Sequence, residues 1–280
     1  IFGVDGTGGS VSLASPTTVG SLTFNPFGGT YTLGTGGQAI TLNGGITMDA
    51  ASGPVNIKSP IILGADQIWA NNTAAAVDKN PPGTLSVQAG ISGAFGITKN
   101  GDGYLNMKGT NTFTGDLIVN GGAVLVHNYS LGTGNLALNN GVLESYWGAT
   151  MNRTLGAGPG EIQVHGVSGF SGQGSNGTTV KLNNGAVVQW GSTHFDPTTL
   201  VLQNPTSNTN GKVNFSSPLD LNGGQRTVSI NKDHADTYGQ LSGVISNTDA
   251  VNPGGLTKTG PGMMILSNNG NTYNGPTIVN

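Results

Sequence analysis

The densest group of side chains able to do chemistry is Asp233-His234-Ala235-Asp236. A carboxylate, an imidazole and a second carboxylate this close in the chain could ligate a metal ion or act as an acid and base. The cluster follows the strand-like run Thr227-Val228-Ser229-Ile230, where a solvated loop would carry the same residues without chemistry. A related segment, Asn72 to Pro82, has Asp78 and Lys79 but no histidine, so the constellation belongs to no repeated plan. Asp233, His234 and Asp236 therefore stand as a surface patch with no catalytic role. His194-Phe195-Asp196-Pro197, with Trp190 nearby, is a second combination, and it also reads as an Asp-Pro turn beside a strand. The only glutamates are Glu144 and Glu161. A glycosidase pair depends on the separation of its carboxyl groups and not on sequence distance, but nothing around these two singles them out.

Composition narrows the field further. Thirteen acidic and ten basic residues are scattered over 280 positions, with a net charge of −3, and only Arg153 and Arg226 are arginines. That leaves no basic stripe for nucleic acid and no acid-rich strand with a basic partner, so neither an enzyme nor a cofactor is expected. The absence of cysteine removes disulfides, thiolate zinc sites and thiol catalysis together. Gly156-Ala157-Gly158-Pro159-Gly160 has no following helix and no GK[ST] tail, so it is no phosphate cradle. Gly101-Asp102-Gly103 only superficially resembles a calcium repeat of the GGxGxD type. Trp69, Trp147 and Trp190, with Tyr146, would form either a sugar-stacking surface or stacks inside a core; Tyr146 and Trp147 must face opposite ways if extended.

Positioning any of these groups falls to short β-rich runs. Glycine makes up 49 of the 280 residues, well above an average near 7%. Runs such as Leu117-Ile118-Val119, Ala123-Val124-Leu125-Val126 and Leu200-Val201-Leu202 are bounded by Gly, Asn or Pro, and no window keeps a helical period. The nearest helical candidate, Asn72 to Asp78, is stopped by Pro81-Pro82. Asn-Gly pairs recur throughout, and both residues enter positive φ cheaply, marking corners between strands.

The chain also repeats itself. Ile97 to Asn120 (ITKNGDGYLNMKGTNTFTGDLIVN) returns as Leu256 to Asn280 (LTKTGPGMMILSNNGNTYNGPTIVN) with one residue inserted. Thr98, Lys99, Gly101, Gly103, Asn111, Thr112 and Gly115 recur as Thr257, Lys258, Gly260, Gly262, Asn271, Thr272 and Gly275. Upstream, Pro60 to Gln67 aligns without a gap on Pro218 to Gln225, while Leu136 to Gly141 and Leu182 to Val187 look like further single coils. Similar strands in the same order stack in register when wound, whereas a meander would need alternating direction. Each coil then buries its apolar face only against its neighbours.

The pattern Leu/Ile-Thr-Lys-x-Gly-x-Gly, an apolar strand, then Asn-Thr-Phe/Tyr-x-Gly resembles the passenger-associated repeat of bacterial autotransporters, also called the autotransporter-associated β-strand repeat. It is present at 97–126 and 256–280, about a fifth of the chain. The resemblance implies a right-handed parallel β-helix on a secreted or cell-surface bacterial protein, associated with the outer membrane, in which the repeat assists passenger folding and export.

The expected fold is all-β, a right-handed parallel β-helix (β-solenoid) of roughly a dozen rungs. One continuous segment, 1–280, would hold internal modules at about 1–126 and 178–280. Ile1 is no natural start and the repeat breaks off after Asn280, which points to an excerpt of a longer polypeptide. The expected role is a stiff spacer or fibre body. The alternatives are an adhesin binding glycans or host protein through the side of the helix, and a polysaccharide lyase or hydrolase of the β-helix kind. Expected partners are neighbouring repeats of the same polypeptide, further copies end to end or side by side, and surface glycans. Ile97, Leu105, Met107, Ile118 and Val124, with Leu256, Met264, Leu266 and Ile278, are expected inside the coil.

Overall fold

The computed structural model describes residues 6–74, 83–127, 130–146, 148–174, 177–203, 211–231 and 237–280; of Tyr146 only the backbone is described. Two compact units divide it, 1–136 and 137–280. Each unit holds one copy of the repeat near its C-terminal end.

In the first unit every named strand pairs in parallel, and the pairs form three stacks. One runs Gly8–Val11, Thr30–Leu33, Val55–Ile57, Leu85–Val87, Tyr104–Met107 and Ala123–His127. A second runs Thr17–Val19, Ile40–Leu42, Ile61–Leu63 and Ile91–Ser92. The third runs Leu22–Phe24, Ile46–Met48, Gln67–Asn71, Ile97–Asn100 and Leu117–Val119. The chain visits the three stacks in turn and then starts again, the winding of a three-sided parallel β-helix. In the Leu85, Leu105, Val124 column a turn takes 20 and then 19 residues. These are the rungs of the repeat, and they are shorter than the 30-residue turn from Val55 to Leu85 that precedes them.

The second unit winds in the same way. Its stacks are Val142–Tyr146, Ile162–Gln173, Phe195–Leu202, Gln225–Ser229, Gly255–Thr259 and Thr277–Val279; Thr150–Arg153, Thr178–Leu182, Lys212–Phe215, Tyr238–Leu241 and Met263–Leu266; and the short Val188–Gln189, Leu219–Asp220 and Ile245–Ser246. Leu136 to Gly141 supplies the whole strand Leu136–Asn139 and a corner, and Leu182 to Val187 supplies a strand end and a corner. Asn140 sits at φ 64°, and Asn183 and Asn184 at 55° and 54°, inside a one-turn 3-10 segment.

Alternation decides what fills the coils. Val55, Leu85, Leu105 and Val124 form one buried column, and Phe24 stacks on Met48 inside another. Ile97, Leu105, Met107, Val124 and Leu256 are buried as expected. Four positions depart. Ile118 is half-buried and Ile278 is 42% exposed, because register with Ile97 and Leu256 turns Leu117 and Val119 inward in the first copy and leaves Ile118 and Ile278 outward. Met264 and Leu266 are only half-buried. Met263–Leu266 pairs with Tyr238–Leu241 on one side, and among the described residues no strand stacks on its other side.

The upstream alignment slips by one residue inside its span. Ile61 and Leu219 hold matching places, but Gln67 pairs with Ile97, whereas it is Arg226, not Gln225, that pairs with the matching Leu256. The extra residue is taken up at the corner Asn222-Gly223, both at positive φ. Gln67 is therefore buried while Gln225 is exposed.

Candidate functional site

Strand alternation carries a charged residue into the core. Ile97 points in and Thr98 out, so Lys99 points in again. It occupies the column Leu22, Ile46, Trp69, Lys99, Val119 and is fully buried. Its ammonium donates to the Gly101 carbonyl at 2.5 Å, beyond the end of its own strand, and to the Gly121 carbonyl at 2.9 Å in the next rung. One side chain thus ties two successive rungs together at a corner. Gly101 lies at φ 80°, and a Cβ there would meet the Asn71 carbonyl at 2.2 Å. A Cβ on Gly122 would sit 2.7 Å from the Lys99 Nζ, so the glycine leaves room for the ammonium. Burial pushes the Lys99 pKa down to about 8, against an opposing pull from Asp102.

The second copy repeats the burial and the first of these two bonds. Lys258 is buried between Val228 and Val279 in its column and donates to the Gly260 carbonyl. Gly260 lies at φ 79°, with the Ile230 carbonyl where a Cβ would go. Backbone bonds between rungs also recur pair for pair. Gly103 and Gly262 donate to Asn71 and Ile230 at 3.0 and 2.9 Å, Asn120 and Asn280 to Lys99 and Lys258 at 2.9 and 3.0 Å, and Thr112 and Thr272 to Ile91 and Ile245 at 2.8 and 2.9 Å.

Asparagine forms the other clamp. Asn111 Oδ1 accepts from the Ile91 amide at 3.1 Å in the rung below, and its Nδ2 donates to the Ser130 carbonyl at 2.8 Å in the rung above. Asn271 Oδ1 accepts from the Ile245 amide at 2.9 Å in the same way. Lys99, Asn111 and Asn271 are therefore fasteners between rungs, whereas Thr98 points outward. The parity of Ile97 was the signal that could have revealed Lys99.

Asp220 is a fastener of another kind. Its carboxylate accepts from the Thr248 amide and hydroxyl at 2.9 and 2.5 Å, from the Asn222 amide at 3.1 Å and from Gln189 Nε2 at 3.2 Å. Burial alone would raise its pKa, but these four donors together outweigh burial and hold it below the ordinary carboxylate value. A depressed folded pKa means stabilisation that is present above the unfolded value near 3.8 and lost as pH falls through the folded one. Asp220→Ala is expected to cost about 1–3 kcal/mol at pH 7. The gap from the parent chain should narrow below about pH 4; denaturant titrations at both pH values check it.

The other sequence candidates fall as follows. Asp233, His234 and Asp236, like Asp78, Lys79 and Trp147, lie outside the described residues. His194 is half-buried beside an exposed Asp196, and Trp190 is buried against Phe195, donating to the Pro197 carbonyl at 2.8 Å. Trp69 is buried too, its indole bonded to Gln67 Oε1. Glu144 is fully buried and accepts from Gln173 Nε2; Glu161 closes the Gly156 to Gly160 turn by accepting from the Gly158 amide at 2.7 Å. Among the described residues no three His, Asp or Glu side chains come together to hold a metal ion.

Comparison with known proteins attaches to the same segments. Residues 97–126 and 256–280 match the passenger-associated-transport-repeat family. The chain is 31% identical over 183 residues to the Adhesin BmaC autotransporter of Brucella suis biovar 1 (strain 1330), an alignment covering 61% of this chain and 4% of that protein. The chain thus spans a small fraction of that relative's length. No solved structure matches it.

Proposed function

We propose that these residues form a stiff spacer or fibre body within an autotransporter-type passenger, holding other modules away from the cell. The chain is a segment of a secreted, surface-exposed bacterial polypeptide. The observation that carries the spacer role is the pair-for-pair recurrence of rung-to-rung backbone bonds in the two repeat copies, with Lys99 buried as a fastener between rungs. Polar side chains used in this way make a coil rigid along its axis. Glu144, Glu161 and Asp220 are likewise engaged in hydrogen bonds that hold the structure. The partners in this role are neighbouring repeats of the same polypeptide, and further copies of the chain meeting it end to end or side by side.

The test uses the full-length passenger on its cell. Duplicating a pair of complete rungs should lengthen the projecting fibre in electron micrographs by about 4.8 Å per rung and leave cell attachment unchanged. An unchanged length, or attachment lost on substitution of outward residues of this segment, would overturn the spacer role. A second role, an adhesive side wall, is favoured by exposed Ile62, Ile68 and Phe95 on the first unit and by the relative's description as an adhesin.

A further inference from the structure

On the first unit the outer wall of the third stack is not flat. Gly45 lies against Ile68 of the next rung so closely that a Cβ on it would meet the Ile68 carbonyl at 1.9 Å. With no side chain at Gly44 or Gly45, the wall sinks into an open concavity of about 600 Å³, lined by Gly44, Gly45, Thr47, Asp66, Ile68 and Thr98. Ile68 is 55% exposed and offers an aliphatic platform. The hydroxyls of Thr47 and Thr98 have no hydrogen-bond partner among the described residues. Asp66 uses one oxygen, accepting from the Gly96 amide at 2.7 Å, and its exposed carboxylate keeps the other for solvent. Gln67 at the floor is rigid: its amide donates to the Leu42 and Ala65 carbonyls and accepts from the Trp69 indole.

We propose that this concavity is a subsite for a neutral saccharide. The chemistry selects that class. A carboxylate oxygen accepts from hydroxyl groups and repels anions, two free hydroxyls donate or accept, and an apolar platform takes the C–H face of a sugar ring. Among the described residues no basic side chain lines the concavity to attract phosphate, sulfate or uronate. The subsite rests on the side-wall role and gives it a position and a ligand class.

The test is a saturation-transfer NMR titration of the chain with lactose, cellobiose and N,N′-diacetylchitobiose, with a heparin disaccharide as the charged comparison. At least one neutral disaccharide should bind and the heparin disaccharide should not. Asp66→Asn keeps the acceptor for Gly96, and Thr98→Val keeps the shape, so both variants should retain the parent's melting temperature. Each should weaken binding about tenfold, the loss of one good hydrogen bond. Absence of binding by all three neutral sugars, equal binding of the heparin disaccharide, or undiminished binding in both variants would overturn the subsite. Attachment of the chain to host cells that persists in both variants would place adhesion elsewhere on the wall, so the subsite can fail while the side-wall role stands.

Discussion

Between pH values below 8 and above 10.5 the chain is expected to gain about 3 kcal/mol of stability over its Lys99→Met variant. The Lys99 pKa is lowered from 10.5 to about 8 by burial. Across that window the unfolded chain holds a proton that the folded chain has released, so stability rises with pH. Each pKa unit is worth about 1.4 kcal/mol. Other titrating groups are shared by both chains and cancel in the difference. Below pH 8 opposing effects nearly balance. Removing the lysine relieves the burial of a charge, but it leaves the Gly101 and Gly121 carbonyls without their donor, at about 1–3 kcal/mol each. Lys99→Met should therefore lie within about 2 kcal/mol of the parent at pH 7. Lys99→Ala adds a cavity in the Trp69 to Val119 column and should lose several kcal/mol more. Urea titrations at pH 7 and pH 10.5 would measure all three chains; a difference that does not change with pH would show that Lys99 is not desolvated.

The second large effect separates neighbouring residues. Leu117→Ala is expected to cost roughly 2–5 kcal/mol, because Leu117 is buried against Ile97. Ile118→Ala, one position on and facing outward, should cost less than about 1 kcal/mol. Equal losses would mean that the strand is out of register by one residue.

These two positions also show where the sequence was legible and where it was not. The duplicated corners of the repeat, with glycines at 101 and 260 and asparagines at 111 and 271, announced stacked rungs, because such corners recur only when similar strands are wound in the same order. The run Leu117-Ile118-Val119 is apolar throughout, so it carries no alternation from which to read its facing. Its register is set by a partner twenty residues away, Ile97. Lys99 had the opposite difficulty. Its facing followed from Ile97, but a charged type argues for solvent, and only the stacked carbonyls at Gly101 and Gly121 explain its burial. The slip between Gln67 and Gln225 was hidden because one extra residue at the Asn222-Gly223 corner leaves an ungapped alignment intact while turning the side chain over. The candidate cluster Asp233, His234 and Asp236 had no support from the repeat, and the concavity beside Asp66 had no sequence signal beyond two adjacent glycines.

The central claim is that the repeat winds in parallel, each rung in register on the next. Since the chain has no cysteine, paired cysteines report on this directly. Thr98 and Ile118 are register partners on the outer wall, as are Thr257 and Ile278. Rung spacing of about 4.8 Å falls within the Cα separation of roughly 4.4–6.8 Å that a disulfide accepts. Mild oxidation of the double variants Thr98→Cys/Ile118→Cys and Thr257→Cys/Ile278→Cys should close both disulfides nearly completely. The offset pair Thr98→Cys/Asn120→Cys should stay reduced. Failure of both in-register pairs to close, or closure of the offset pair instead, would contradict the wound, parallel stacking on which the spacer role depends.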